Sequence, residues 1–142
     1  MPKQITLSFD NGPDPEVTPL VLDILARRGI LSTFFVIGDK LRDPERHALA
    51  VRAAREGHWI GNHTFNHLAP LGRTLDPRAA ELEIGRTQSL IGDLAHPDLL
   101  FRPFGSGGLL DDALLSPGAL AHLRREGFTC VLWNVVPRDW EN

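Results

Sequence analysis

The fold of this chain is decided by residues 5–29, which read ITLSFDNGPDPEVTPLVLDILARRG. The apolar run at residues 5–9 predicts a strand. The pair Thr18-Pro19 predicts a helix start, because a capping residue followed by proline is favoured there. The leucine-rich run that follows stops at Gly29 after two arginines, as is typical of a helix end. This stretch is therefore predicted to form a strand, a turn and a helix.

The same alternation recurs along the chain. Further pairs of a capping residue and a proline predict helix starts at Asp43-Pro44, Asp76-Pro77 and Ser116-Pro117, and glycines mark two of the helix ends at Gly57 and Gly127. Apolar runs predict strands buried on both faces at residues 32–37, 58–61, 99–102 and 128–134. Short connections favour a parallel sheet, hence an α/β fold. Five strands are too few for a closed eight-stranded barrel, so we expect an open sheet or an incomplete barrel.

Composition limits the class of protein and its partners. A chain of 142 residues fits one domain, and with 42% hydrophobic residues, 23% charged residues and a net charge of -3 it carries no electrostatic signature for nucleic acid or an anionic membrane. The only cysteine, Cys130, lies in an apolar run and is predicted to pack as a small hydrophobic residue. Because no signal-length apolar run opens the chain, we expect a cytoplasmic protein.

Functional residues of parallel α/β proteins gather at the carboxyl ends of the strands. Here that rule selects four places: Asp10-Asn11, His63 to His67, Arg102 to Gly105, and Asn134 to Trp140.

Two histidines in the second of these places suggest a metal site. His63 and His67 are four residues apart, so one helical turn would point both imidazoles the same way, an arrangement that suits zinc. The alternative is that they only cap or line a loop. A carboxylate from a neighbouring strand end would complete a three-ligand site, and Asp10 is available, although it could instead cap the turn at Gly12-Pro13.

An arginine that leaves a buried strand usually has a carboxylate partner. For Arg102 the candidates are Asp10 and Asp139. Trp133 and Trp140 are more often core or rim aromatics, but aromatic faces also stack on sugar rings.

Four motifs occur in order: Asp10-Asn11-Gly12, His63-Thr64 with His67, Arg102-Pro103-Phe104-Gly105, and Asp139-Trp140. Together they resemble the polysaccharide deacetylase family, the NodB homology domain of carbohydrate esterase family four. The resemblance covers nearly the whole chain. It implies a distorted (β/α) barrel and the removal of N-acetyl groups from amino-sugar polymers such as chitin and peptidoglycan, or from related oligosaccharides.

The resemblance also implies roles for individual residues. Asp10 is expected to be the general base, with Arg102 and Asp139 orienting and tuning it. The backbone N–H near Phe104 is expected to help stabilise the tetrahedral oxyanion. The residues expected to bind the N-acetylated oligo- or polysaccharide are Pro103, Phe104 and Trp140.

The implied metal ligands are Asn11, His63 and His67, with zinc, cobalt or another divalent ion as cofactor. The family motif has an acid at the position of Asn11, and an uncharged amide oxygen is a weaker ligand than a carboxylate. We therefore expect weakened metal binding. Alternatively, deamidation of the Asn11-Gly12 pair places an aspartate there in part of the protein, since glycine leaves the backbone flexible.

Other departures from the family pattern keep several interpretations open. One proline rather than two precedes Phe104, and Asn134 and Val136 stand where the family often has acids. The family's last motif, a strand with a histidine that acts as general acid, would lie beyond Asn142, so we expect a barrel that is incomplete at its C-terminus. The chain is then an enzyme, a degenerate carbohydrate-binding member, or a shortened version of an active enzyme. An exposed last strand, with Leu132 and Trp133, would favour self-association into a homo-oligomer.

Overall fold

The computed structural model describes residues 4–105, 109–135 and 137. It shows one parallel sheet whose five strands follow the order of the chain: β1 Ser8–Gly12, β2 Thr33–Val36, β3 Trp59–Asn62, β4 Leu100–Phe101 and β5 Thr129–Cys130. The helices are α1 Val17–Arg28, α2 Pro44–Arg55, α3 Arg86–Ile91 and α4 Pro117–Glu126. A π-helical stretch, Glu81–Gly85, precedes α3, and short 3-10 helices lie at Asp39–Arg42, Leu71–Arg73 and Gly92–Leu94. The predicted α/β class with a parallel sheet is confirmed.

The start of α1 differs from the prediction. The helix begins at Val17 rather than after Thr18, and the carboxylate of Asp14 accepts hydrogen bonds from the N–H groups of Glu16 and Val17, both at 3.0 Å. The hydroxyl of Thr18 accepts the N–H of Asp14 at 2.8 Å. Asp14 therefore satisfies the free N–H groups of the first turn, and Thr18 fixes Asp14. The predicted end at Gly29 is confirmed by its left-handed conformation.

Two of the other predicted helix starts are confirmed. The Asp43 side chain accepts from the N–H groups at the start of α2, and the Ser116 side chain accepts from the first turn of α4. Asp76 also accepts a backbone N–H, at 2.9 Å, but the segment after it continues through the π-helical stretch into α3. The helix predicted there is thus present but irregular.

The strand boundaries shift at both ends of the sheet. The first strand was predicted over residues 5–9, yet Ile5 is 85% exposed and β1 contains Asp10 and Asn11. The last was predicted over residues 128–134 and buried on both faces, whereas β5 has two residues, both exposed. Because β5 is an edge strand, one side of it lacks the cover that the interior strands have. Cys130, predicted to pack as a small hydrophobic residue, is exposed for the same reason, although partial burial raises the pKa of its thiol.

The two faces of the sheet differ in what covers them. Phe9 stacks on Phe34 at 5.2 Å between ring centroids, on the face covered by α1 and α2. Phe35 points the opposite way, as do Ser8 and Asp10, because side chains alternate along a strand. We call this opposite side the inner face. The helix-side cluster consists of Leu22, Leu25, Phe34, Val36, Leu41, Ala50, Ala53, Ile60 and Ile91.

A second apolar cluster supports the carboxyl half of the sheet. It contains Leu71, Ile84, Phe101, Leu114, Leu115, Ala119 and Leu123. Leu132 packs against this cluster, and Leu132 and Trp133 both keep part of their surface exposed beside the last strand. Self-association stays a prediction. In the part of the chain that the structure describes, none of the helices has the length and apolar character needed to cross a membrane.

Candidate active site

Arg102 crosses the inner face from the end of β4 to β1. Its Nη1 donates to Oδ1 of Asp10 at 2.8 Å and to Oγ of Ser8 at 2.7 Å, and its Nε donates to the carbonyl of Val131 at 3.2 Å. The guanidinium carbon lies 4.1 Å from the centre of the Phe35 ring. Arg102 is only 4% exposed, and these contacts replace the water that a buried cation loses. The base predicted at Asp10 is therefore held by a buried arginine.

The sequence left two carboxylates open as partners for Arg102. Asp10 is its partner in the structure. Asp139 and Trp140 lie outside the described residues, so their predicted roles stay predictions.

The two histidines converge on one point next to Asp10. His63 is buried, and its Nδ1 lies 2.8 Å from the carbonyl oxygen of Arg102. Because a carbonyl only accepts hydrogen bonds, Nδ1 carries the proton and Nε2 keeps a free lone pair. That Nε2 lies 3.1 Å from Nε2 of His67 and 3.9 Å from Oδ2 of Asp10.

The histidines meet by a route that differs from the predicted helical turn. Thr64 and His67 have left-handed backbones, with φ of 66° and 53°, so the segment is a tight loop. The N–H of His63 donates to the carbonyl of Val36 at 3.0 Å, and the N–H of Arg102 donates to that of Asn62 at 2.9 Å. These bonds continue the ladders of β3 with its two neighbours and fix the start of the loop.

Burial keeps both imidazoles neutral near pH 7. It lowers the pKa of His67 to about 4, with the neighbouring His63 adding to the effect. Burial also lowers the pKa of His63, although the nearby charge of Asp10 opposes it. The neutral imidazole is the form that binds a metal ion.

The donor set fits a divalent metal. Two nitrogen ligands at about 2.05 Å on a tetrahedral ion are separated by about 3.3 Å, close to the spacing of the two Nε2 atoms. Among residues 4–105, 109–135 and 137, no three histidine, cysteine, aspartate or glutamate side chains form a group that could hold a metal ion. Asp10, His63 and His67 are thus not such a group, with Oδ2 of Asp10 at 3.9 Å from Nε2 of His63. The predicted ligand role of the Asn11 amide oxygen stays a prediction.

Asn11 lies beside this site in β1. Its φ of 69° is left-handed, a conformation that asparagine tolerates better than most residues. Its carbonyl oxygen accepts a hydrogen bond from Nζ of Lys40 at 2.6 Å. The cation of Lys40 is thus placed beside the position where the family motif has an acid.

A cavity of about 640 Å³ lies next to Asp10. Its lining includes Asp10, Asn11, Lys40, Arg102 and Trp133. Two of the predicted substrate-binding residues, Pro103 and Phe104, directly follow Arg102 in the chain. Pro103 is buried, and the half-buried ring of Phe104 contacts the ring of His67, with centroids 4.1 Å apart. The Phe104 ring thus packs against one of the two imidazoles.

Sequence reasoning missed three contributors to this site. Ser8 binds Arg102, and its position two residues before Asp10 on a strand was a usable signal, since such residues share a face. The Phe35 ring packs against the guanidinium of Arg102, and Lys40 donates to the backbone carbonyl of Asn11. No sequence pattern links either residue to its partner.

Comparison with known proteins gives the family. A model of the polysaccharide deacetylase family matches residues 1–118. The chain is 37% identical to a peptidoglycan-N-acetylglucosamine deacetylase of Bacillus cereus, over 99% of this chain and 62% of that protein. It therefore spans less than two thirds of the length of that relative.

Solved structures agree with this assignment. A family 4 carbohydrate esterase from Streptomyces lividans, in complex with acetate, superposes with a TM-score of 0.76 at 29% identity, covering 96% of this chain and 65% of that one. A family 4 acetyl xylan esterase from Clostridium thermocellum, in complex with a cobalt ion, gives a TM-score of 0.66 at 29% identity, covering 82% and 53%. The predicted fold is confirmed, and a divalent metal is found in that relative. This chain belongs to the polysaccharide deacetylase family, carbohydrate esterase family four.

Proposed function

We propose that this chain is a metal-dependent hydrolase that removes N-acetyl groups from amino-sugar oligo- or polysaccharides. The observation that carries the proposal is the convergence of a carboxylate and two neutral imidazoles. Oδ2 of Asp10 lies 3.9 Å from Nε2 of His63, which lies 3.1 Å from Nε2 of His67. A carboxylate that lines the cavity thus lies next to a pair of imidazoles that could bind a metal ion.

His63 and His67 would hold the metal, with the amide oxygen of Asn11 as third ligand. When bound, a zinc or cobalt ion would polarise the acetyl carbonyl. Asp10 would take a proton from the attacking water, and Arg102 at 2.8 Å keeps that carboxylate in place. Water oxygen bonds to the acetyl carbon, the carbon–nitrogen bond breaks, acetate leaves, and the sugar nitrogen takes up a proton as an amine.

Acetate release from N-acetylated chito-oligosaccharides and from peptidoglycan fragments tests this function. The native chain is assayed with added zinc or cobalt and with a chelator. Asp10→Asn, which removes the base but keeps the size of the side chain, should lower the rate by about 10²–10⁴-fold. Release that continues unchanged with chelator or in Asp10→Asn would refute the proposed chemistry.

Asn11 favours one second candidate, a carbohydrate-binding member of the family without hydrolysis. The side-chain amide of Asn11 contributes no charge to the metal site. Lys40 adds a cation, with Nζ 2.6 Å from the backbone carbonyl oxygen of Asn11. The matched variant Asn11→Asp separates the two functions. Activity in the native chain supports the enzyme, activity only in Asn11→Asp identifies the amide as the lesion, and sugar binding without release by either protein supports the binding module.

A further inference from the structure

The loop of residues 63–67, which we call the histidine loop, is held by a carboxylate from another part of the chain. Oε2 of Glu83 accepts hydrogen bonds from the N–H groups of Phe65 and Asn66, both at 2.9 Å. Its Oε1 accepts from the side-chain amide of Asn66 at 2.7 Å. One carboxylate thus takes both N–H groups in the middle of the loop, between the two histidines. Such bonds to a charged acceptor are shorter and stronger than neutral ones.

The opposite side of the loop is also fixed. The N–H of Gly38 donates to the carbonyl of Thr64, and that of Asp39 donates to the carbonyl of Phe65, both at 3.0 Å. A side chain at position 38 would collide with Thr87 and Phe65, so only glycine allows this close approach. Gly38 and Asp39, which follow β2, therefore hold the loop through its carbonyl groups. Glu83 holds the same loop through its N–H groups.

Glu83 itself is placed by the π-helical stretch Glu81–Gly85. Its carbonyl accepts the hydroxyl of Thr87 at 2.8 Å, and the side-chain amide of Asn62 donates to the carbonyl of Ile84 at 2.9 Å. The guanidinium of Arg86, next in the chain, lies 3.7 Å from the centre of the Phe65 ring. Short π-helical stretches are rare and occur frequently at functional sites. Here the stretch packs directly on the segment that carries both imidazoles.

We propose that Glu83 is a positioning residue for the metal site, holding the histidine loop so that Nε2 of His63 and Nε2 of His67 face one ion. This inference rests on the proposed function, because it needs His63 and His67 to bind metal. Without the carboxylate, two adjacent N–H groups lose their acceptor, and the left-handed backbone of His67 loses the contact that fixes the residue before it. Glu83 acts through the loop, since its carboxylate binds Phe65 and Asn66, which lie between the two histidines.

Cobalt(II) titration tests this role with two readouts, the dissociation constant and the visible absorption spectrum at saturation, which reports the ligand geometry. Glu83→Ala should raise the dissociation constant for cobalt by about 10–100-fold and change the spectrum. Glu83→Gln keeps an oxygen acceptor at the same distance and should recover most of the affinity. Glu81→Gln removes the same charge from an exposed position of the same π-helical stretch and should bind like the native chain.

The outcomes separate this inference from the function on which it rests. If the native chain does not bind cobalt, or His67→Ala binds it equally well, the proposed metal site fails and the role of Glu83 fails with it. If the native chain binds and folded Glu83→Ala keeps the same affinity and spectrum, only the inference on Glu83 is overturned. Should Glu83→Ala not fold, Glu83→Asp, which keeps the charge but withdraws the carboxylate from the loop, decides in the same way.

Discussion

The pairing of Asp10 with Arg102 should stabilise the fold measurably, and a double-mutant cycle with Asp10→Asn and Arg102→Met isolates it. At 2.8 Å and an effective dielectric constant of about 20, the gross attraction is about 6 kcal/mol. Most of this is offset, because Asp10 is 28% exposed and keeps part of its hydration in the fold. Asparagine also still accepts a neutral hydrogen bond. We therefore expect a coupling free energy of about 1.5 kcal/mol, or about tenfold in the unfolding equilibrium.

Urea unfolding of the native chain, both single variants and the double variant gives the coupling, provided that the denaturant slope is the same in all four. A matched control is the ion pair between Asp39 and Arg42, whose atoms lie 3.0 Å apart but whose side chains are 55% and 61% exposed. There the same cycle should give less than about 0.5 kcal/mol. Equal coupling energies for the two pairs would show that burial of Arg102 adds nothing, and the reasoning would be wrong.

Two further predictions follow from packing and from burial. Gly61→Ala should destabilise the fold by about 1–3 kcal/mol in urea unfolding, since its Cβ would lie 2.6 Å from the Phe35 ring and 3.2 Å from the Leu100 carbonyl; an unchanged midpoint would contradict this. Because burial lowers the pKa of His67 to about 4 while an unfolded imidazole titrates near 6.5, the unfolded chain binds more protons between these values. Stability present above about pH 6.5 should therefore fall as the pH drops towards 4, and His67→Gln should show a shallower fall in the metal-free protein.

Local chemistry explains which parts of the fold could be predicted from the sequence. Asp43 and Ser116 were identified as helix caps because a cap acts on N–H groups two or three residues away. The helix start predicted at Thr18 was wrong because Asp14, four residues earlier, accepts the N–H groups of the first turn instead. The extent of β5 could not be predicted from its apolar residues, since its exposure depends on its place at the edge of the sheet.

Some features of the candidate site could likewise be predicted from the sequence, and others could not. His63 and His67 were found from their spacing, and their imidazoles do meet, but through left-handed backbone geometry that no periodicity encodes. The contact between Asp10 and Arg102 depends on tertiary packing across the sheet, so the sequence could name Asp10 only as one of two candidates. Glu83 gave no signal at all, because its role depends on the placement of a separate helical segment.

The contacts of Arg102 join parts of the chain that are far apart in sequence, so the site forms only when most of the chain has folded. Its partners Ser8 and Asp10 lie 94 and 92 residues away in sequence, and Val131 lies 29 residues further on. Closing such long loops costs entropy before any contact forms, so Asp10 acquires its orientation only after most of the chain has collapsed. A nascent chain still lacking the segment around Val131 would not hold Asp10 in this way. Fraying of β1 would likewise release Asp10 while the apolar core stays intact, so the activity proposed for this chain should be lost before the protein unfolds.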